Sequence, residues 1–365
     1  MGGSGRAGIL ISGFYGFGNL GDEAVLTGMV RSLRSRLGDV PLIVLSGDPP
    51  ATAAGQGVEA VDRIDAPSIL RAMRRSRLFI SGGGSLLQDA TSGRSALYYL
   101  GLLWLAEALV PRTMIYASGI GPLRRGSIRA LTAGALRRLD AVTVRDADSA
   151  ALVRGLAPRV TLTLTADPAV VLEPAPPERA DELLRRLGVH PGSQPLLGVA
   201  VRPWGDNAFV DPLGAALRAA ASRLGARVIL LPFHPVLDLP LSRDLAALCG
   251  GVVLEEPLTP AAALALIGRT EVLVGLRLHA LLFAAVTGTP PVGLAYDPKV
   301  RALMGDLGVG EPLALDAPPE AVADAVVAAW SSRRLTAPSL AAVVAMLRGR
   351  AALAAAEAAR LYAAG

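Results

Sequence analysis

Few residues in this sequence can exchange a proton near neutrality or present a compact ammonium: three histidines and one lysine in 365 positions. His279 stands in Gly275-Leu276-Arg277-Leu278-His279-Ala280, after an apolar run that reads as a strand and at the opening of an apolar helix. If the segment is still extended there, Arg277 and His279, two residues apart, face the same side. An imidazole in that place serves as general acid or base, and the adjoining arginine sets it apart from the ordinary structural histidine of a helix. His234 lies in Pro232-Phe233-His234-Pro235 with Asp238 four residues on, and fits a site residue and a turn residue equally. His190 sits in a Val-His-Pro-Gly turn and reads as solvent-exposed.

The lysine is Lys299, at the end of Leu294-Ala295-Tyr296-Asp297-Pro298-Lys299; every other one of the 36 basic residues is arginine. Such usage reflects a GC-rich genome, so a retained lysine marks either an ammonium that guanidinium does not replace or a surface leftover of codon bias. Arg145-Asp146 follows the strand-like Val142-Thr143-Val144. The arginine can fork onto a carboxylate or phosphate, or pair with the aspartate at a helix start.

Three glycine-rich segments also follow strand-like runs. Gly13-Phe14-Tyr15-Gly16-Phe17-Gly18-Asn19-Leu20-Gly21-Asp22-Glu23 holds a formal G-x-G-x-x-G at Gly16, Gly18 and Gly21, with Asp48 after the next strand in the place of a ribose acid. Asp22 and Glu23 would stand where a pyrophosphate should sit, which suits stabilisation of a helix dipole better than a dinucleotide. Ser81-Gly82-Gly83-Gly84-Ser85 offers either an amide nest for an anion or a tight turn, and Ser118-Gly119-Ile120-Gly121-Pro122 reads alike. Three such loops at three strand ends signal more than any one alone.

Those loops need a scaffold. Strands are expected near 9–12, 42–46, 78–81, 113–117, 141–144 and 161–165, with helices over 22–37, 95–110 and 127–139 between them. The second half repeats the pattern, with strands near 197–201, 228–231, 252–254, 272–275 and 292–295. Apolar strands alternating with helices predict parallel βαβ units, hence an α/β chain of two Rossmann-like domains facing across a cleft. Glu173-Pro174-Ala175-Pro176-Pro177-Glu178 is the linker candidate, dividing residues 1–175 from 176–365. Pro338 to Ala364 forms one or two helices with Arg348, Arg350 and Arg360 on a polar side, either a lipid contact or a helix packed on the domains.

Composition narrows the classes. With 52% hydrophobic and 18% charged residues the chain is not disordered, and one cysteine excludes a disulfide framework or a cysteine-rich zinc site. The net charge of +5 favours anionic partners. Dispersed arginines, without a basic block interleaved with aromatics, argue against nucleic acid. Met1 to Arg6 is too short and glycine-rich for a signal peptide, and the apolar run at 97–110 is broken by Glu107 and Pro111 before the ~18 residues of a membrane span. A soluble, cytoplasmic protein with at most peripheral membrane contact is expected.

Taken in order, Gly18-Asn19-Leu20-Gly21-Asp22-Glu23, Gly82-Gly83-Gly84, Gly119-Ile120-Gly121-Pro122, Arg145-Asp146, Asp167-Pro168, His234-Pro235, Gly275-Leu276-Arg277-Leu278-His279 and Tyr296-Asp297-Pro298-Lys299 resemble the polysaccharide pyruvyltransferase family over about residues 8–307. The resemblance is nearest to its CsaB type. It implies a GT-B-like fold, an amino-terminal acceptor side, a carboxyl-terminal donor side, and transfer of pyruvate from phosphoenolpyruvate to a sugar as a cyclic ketal with release of phosphate. The acceptor it implies is N-acetylmannosamine of a polyprenyl-diphosphate-linked precursor of secondary cell-wall polymer, which anchors surface-layer proteins in bacteria.

In that frame His279 and Arg277 are catalytic, and Arg145, Arg277 and Lys299 bind the donor. Asn19, Asp22, Glu23, Gly82, Gly83, Gly84 and His234 face the acceptor. No metal and no cofactor beyond the co-substrate phosphoenolpyruvate are expected. A nucleotide-sugar glycosyltransferase of the same fold and a non-catalytic glycan-binding relative are the competing readings, and a nicotinamide dehydrogenase comes last.

Overall fold

The computed structural model describes residues 6–89 and 93–365, so most of the Met1–Arg6 stretch lies outside the described residues. The chain forms two compact α/β units. The first comprises residues up to Phe17, Asp22–Val171 and Leu347–Gly365; the second comprises Gly18–Gly21 and Leu172–Met346.

The first unit is built on seven parallel strands: β1 (Gly8–Ser12), β2 (Leu42–Ser46), β3 (Glu59–Asp62), β4 (Ser76–Gly82), β5 (Arg112–Ser118), β6 (Ala141–Val144) and β7 (Leu162–Leu164). Their order is β3-β2-β1-β4-β5-β6-β7. Between them run α1 (Leu20–Leu37), α2 (Pro49–Gln56), α3 (Ala66–Arg75), α4 (Gly93–Leu109), α5 (Gly126–Leu136) and α6 (Ala147–Leu156). Every residue of β1 and β2 is buried, as a sheet covered by helices on both faces requires.

The second unit follows α7 (Pro177–Arg186) with β8 (Leu196–Ala200), β9 (Arg227–Leu230), β10 (Val252–Val253), β11 (Val272–Gly275), β12 (Pro291–Ala295) and β13 (Leu313–Ala314). Strand order is β10-β9-β8-β11-β12-β13, again all parallel, with α8 (Val210–Leu224), α9 (Pro235–Cys249), α10 (Pro260–Ile267), α11 (Leu278–Thr287) and α12 (Pro298–Leu307) as crossovers. In each sheet the order reverses once, between β1 and β4 and between β8 and β11. Ligands of open parallel sheets bind at the carboxyl ends of strands flanking that reversal. The loops after β1 and β4 are the first two glycine-rich segments; those after β8 and β11 carry Arg202 and Arg277.

Three elements differ from the sequence reading. β13 was not expected, because Leu313–Ala314 is too short to show as an apolar run. β3 was not expected, because Glu59-Ala60-Val61-Asp62 is a half-exposed edge strand with charged ends and lacks an apolar run. The tail is one 46-residue helix, α13 (Pro319–Ala364), that continues through Pro338. Arg348 Nε and Arg350 Nη2 are not free on a polar side: they donate to the carbonyls of Val170 at 3.0 Å and Thr165 at 2.7 Å. By length and composition α13 is apolar enough to cross a membrane. Its Leu340, Val344, Leu347, Ala354, Ala358 and Leu361 are nonetheless buried against the protein.

Candidate functional site

In the second unit, backbone geometry separates Arg277 from His279. Arg277 is still extended (φ −73°, ψ 114°), and α11 begins at the next residue, so His279 already lies in its first turn. The extended stretch that would turn both side chains to one side therefore ends too early. Arg277, only 9% exposed, turns to Asp238. Its Nε donates to Asp238 Oδ2 at 2.8 Å and its Nη2 to Oδ1, a two-pronged clamp.

Asp238 is fully buried in the first turn of α9 and also accepts from the amides of Phe233 (3.1 Å) and His234 (2.9 Å). Four donors on one carboxylate provide what a charge removed from water needs. Asp238 takes two of the five N–H donors of Arg277, leaving three for other acceptors.

His279 is half-buried, and its position depends on Gly21. A Cβ built on Gly21 would collide with the imidazole Nδ1 and lie 2.8 Å from Cγ. Gly21 thus yields the space that His279 occupies. His234 caps α9, its Nδ1 accepting from the Leu237 amide at 3.4 Å. Burial first, and then the charge of Arg277, hold its pKa below the ordinary histidine value, against the pull of Asp238. Lys299 is the second residue of α12, half-buried, with its amide donating to the capping Asp297 at 2.9 Å.

One group at this edge was missed in the sequence. Arg202, just beyond β8, donates from Nη1 to the Tyr296 hydroxyl at 3.3 Å, and its guanidinium lies 5.2 Å from that ring. Trp204 meets Tyr296 edge-on at 4.8 Å. Arg202 Nε is buried with no acceptor among the described residues. Val201-Arg202-Pro203-Trp204, directly after the run 196–200, carried the signal, since an arginine there belongs to the strand flanking the sheet reversal.

In the first unit Arg145 is 8% exposed and gives Nη1 to Asp167 at 2.6 Å and Nη2 to the Ser85 hydroxyl at 3.1 Å. The glycines after β4 make backbone contacts. Gly83 and Gly84 both have left-handed φ (60° and 67°); the Gly83 amide donates to Tyr116 O, and Gly84 O accepts from Gly119. A Cβ on Gly83 would strike Val25. The Gly83 amide is thus committed within the sheet and is not part of an open anion nest.

Asn19 Oδ1 accepts from Gly21 N at 3.2 Å at the start of α1, a cap. Glu23 accepts from Gly16 N at 2.8 Å and so ties down the loop after β1, while burial raises its carboxyl above the usual range. Asp22 Oδ1 stands 3.0 Å from where a Gly84 Cβ would be. Asp48, the mock ribose acid, caps α2 through Ala51 N at 3.1 Å. Among the described residues no group of three His, Cys, Asp or Glu side chains could hold a metal ion.

The model of the family described as polysaccharide pyruvyl transferase matches residues 19–298. The chain belongs to that family. The match runs from Asn19, the cap of α1, to Pro298 at the start of α12, and so takes in the arginines and histidines just placed. No curated protein matches the sequence.

Solved structures give the fold of this pyruvyl transferase. Staphylococcus aureus MnaA with UDP superposes with a TM-score of 0.67 at 10% identity, covering 92% of this chain and 90% of that one. Anabaena Alr3699/HepE with UDP-glucose gives 0.63 at 12% identity over 98% and 100% of the two chains. UDP-GlcNAc 2-epimerase from Neisseria meningitidis bound to UDP-GlcNAc gives 0.56 at 10% over 89% and 90%. The architecture is that of GT-B glycosyltransferases and the related epimerases.

Proposed function

We propose that this transferase moves pyruvate from phosphoenolpyruvate to a sugar as a cyclic ketal, with the lipid-linked N-acetylmannosamine of a CsaB-type pathway as acceptor and the cytoplasmic face of the membrane as workplace. The observation that supports it best is Arg277, anchored by buried Asp238 one residue before the helix that carries His279. A fixed guanidinium with three N–H groups beyond the two given to Asp238 suits a small dianion, and Arg202, whose buried Nε has no acceptor among the described residues, adds a second cation at the neighbouring strand end. Lys299 supplies the third positive charge of this unit, and Arg145, in the first unit, is a further proposed donor-binding residue.

In this reading His279 gives its proton to C3 of the enol phosphate, and C2 becomes electrophilic. A sugar hydroxyl adds at C2 and gives its proton to the now neutral His279. The C2–O bond to phosphate then breaks; a second hydroxyl closes the ketal, and its proton leaves with phosphate. Methylene becomes methyl, and one phosphate is released per ketal. The arginines and Lys299 stabilise the charge that develops on the leaving group. Asn19, Asp22, Glu23, the Gly82–Gly84 loop and His234 are the proposed acceptor side, though several of them also hold the backbone.

The test is a phosphoenolpyruvate-dependent mass gain on synthetic amino-sugar acceptors, with phosphate release measured in parallel. His279→Ala is expected to lose ~10²–10⁴-fold in turnover; retention of more than a tenth would remove His279 from the chemistry. A second reading, a nucleotide-sugar glycosyltransferase, draws on the UDP and UDP-glucose bound by two of the structural neighbours. Calorimetric titration separates the two: tight binding of a UDP-sugar with indifference to phosphoenolpyruvate would favour the second.

A further inference from the structure

Arg63 follows β3 at the carboxyl edge of the first sheet, the edge where ligands of such sheets bind. Its guanidinium lies 4.3 Å from the Tyr98 ring centroid, 5.1 Å from that of Phe17 and 5.5 Å from that of Tyr99. Phe17 is in turn stacked on Phe14 at 4.3 Å, and Gly47 leaves room for the Phe17 ring, since a Cβ there would come within 2.8 Å of it. Three rings fix the cation in place, while no carboxylate forms an ion pair with it among the described residues. Arg145, Arg277 and Arg333, by contrast, are each tied to an acid at 2.9 Å or less. The Tyr98 hydroxyl donates to the Arg63 carbonyl at 2.6 Å, which locks the backbone as well. Phe17, at the rim, is 38% exposed, so the cluster meets solvent.

We infer that Arg63 is an anion-recognising residue of the acceptor subsite, receiving a phosphate or carboxylate carried by the glycan. This rests on the proposed pyruvyl transfer. An aromatic cage with no acid inside it keeps the guanidinium oriented without neutralising it: the Tyr98 and Tyr99 hydroxyls beside it are neutral partners, and a guanidinium fork suits a planar, two-oxygen acceptor. The purely structural alternative is a pin that holds the Phe14–Phe17 loop against Tyr98.

Two versions of one acceptor decide between them: the glycan bearing a terminal phosphate and the same glycan with that group absent, with a uronate-bearing version as a third arm. Arg63→Gln is expected to raise KM for the phosphate- or uronate-bearing acceptor at least tenfold, leaving KM for phosphoenolpyruvate and for the neutral acceptor within twofold. Arg63→Lys should recover only part of the loss, because an ammonium cannot chelate both oxygens. A response in one anionic arm alone says which group is read. Equal KM changes for charged and neutral acceptors, or none, overturn the inference. If the wild-type chain pyruvylates none of them, the proposed function fails. Equilibrium binding of the same acceptors to wild type and Arg63→Gln then still reads Arg63, and equal affinities would overturn it.

Discussion

Asp238 holds Arg277 across 39 residues of sequence, with both carboxylate oxygens on the guanidinium and two backbone amides on the same carboxylate. The pair makes the arginine a fixed object and ties the start of α9 to the end of β11. Removing one member leaves a charge buried alone, which costs about 3–5 kcal/mol, whereas removing both costs less than the sum. Asp238→Ala and Arg277→Ala are therefore each expected to lower stability strongly in chemical unfolding, and the double variant to be less destabilised than the single effects add up to. Strict additivity would mean that the carboxylate and guanidinium are not coupled.

Gly21 is expected to be intolerant for a reason local to His279. An added methyl must displace the imidazole, and overpacking of this kind costs about 1–3 kcal/mol. Misplacing a catalytic group by about 1 Å costs on the order of 10²-fold in rate. Gly21→Ala should thus stay folded yet lose about a hundredfold in turnover. Gly28→Ala makes the contrast, since its methyl would meet the Pro168 carbonyl and has only backbone to displace. It should lower the melting temperature further. Near-normal turnover of folded Gly21→Ala would separate His279 from the reaction.

Much of this architecture was legible in the residues. The fully buried apolar runs such as Gly8–Ser12 and Leu42–Ser46 announce parallel strands, because only a sheet covered on both faces buries every side chain. What could not be read was pairing. Asp238 looked like a neighbour of His234, and nothing in a linear pattern says that its carboxylate belongs to Arg277. Asn19, Glu23 and His234 illustrate a second difficulty: polar residues at strand-to-helix turns satisfy local amides whether or not they also meet a ligand. Arg202 escaped because it sits alone after β8, without a glycine loop to draw attention to the strand end.

His234 sets a pH dependence. Its folded-state pKa lies below the ordinary histidine value, chiefly through burial and then through Arg277. Folding therefore favours the neutral ring. That contribution is fully present above the unfolded-state value near 6.5 and is lost as pH falls through the lowered folded value. Stability measured from pH 8 down to pH 5 should decline partly for this reason. His234→Asn, which keeps an acceptor for the Leu237 amide, should flatten that part of the curve. An unchanged pH profile would mean that the ring does not titrate differently in the two states.

Glu23 carries the opposite sign. Burial raises its carboxyl, so the protonated form is favoured by folding. The contribution is present below the ordinary glutamate value of 4.5 and is lost as pH rises through the raised one. Glu23→Gln retains an oxygen for the Gly16 amide and removes the cost of a buried charge. Its stability relative to wild type should therefore grow as pH rises from 4 to 7, in urea titrations at matched ionic strength. A constant difference across that range would show that Glu23 ionises as freely in the fold as in the unfolded chain.

Lys299 poses the sharpest question about the chemistry. It is the chain's single lysine, half-buried in the first turn of α12, where the amide ends of a helix already favour an anion. An ammonium there concentrates charge at a point, whereas a guanidinium spreads it over a wider, planar fork that needs more room. Lys299→Arg keeps the net charge and the helix cap on Asp297, so its stability should stay close to that of wild type. On the proposed role its kcat/KM for phosphoenolpyruvate falls roughly tenfold, the rate counterpart of about 1.4 kcal/mol. Lys299→Met, which keeps an unbranched stem of similar length and loses the charge, should fall further. If Lys299→Arg is as active as wild type and Lys299→Met nearly so, the lysine is a remnant of codon usage, and the donor phosphate rests on the arginines alone.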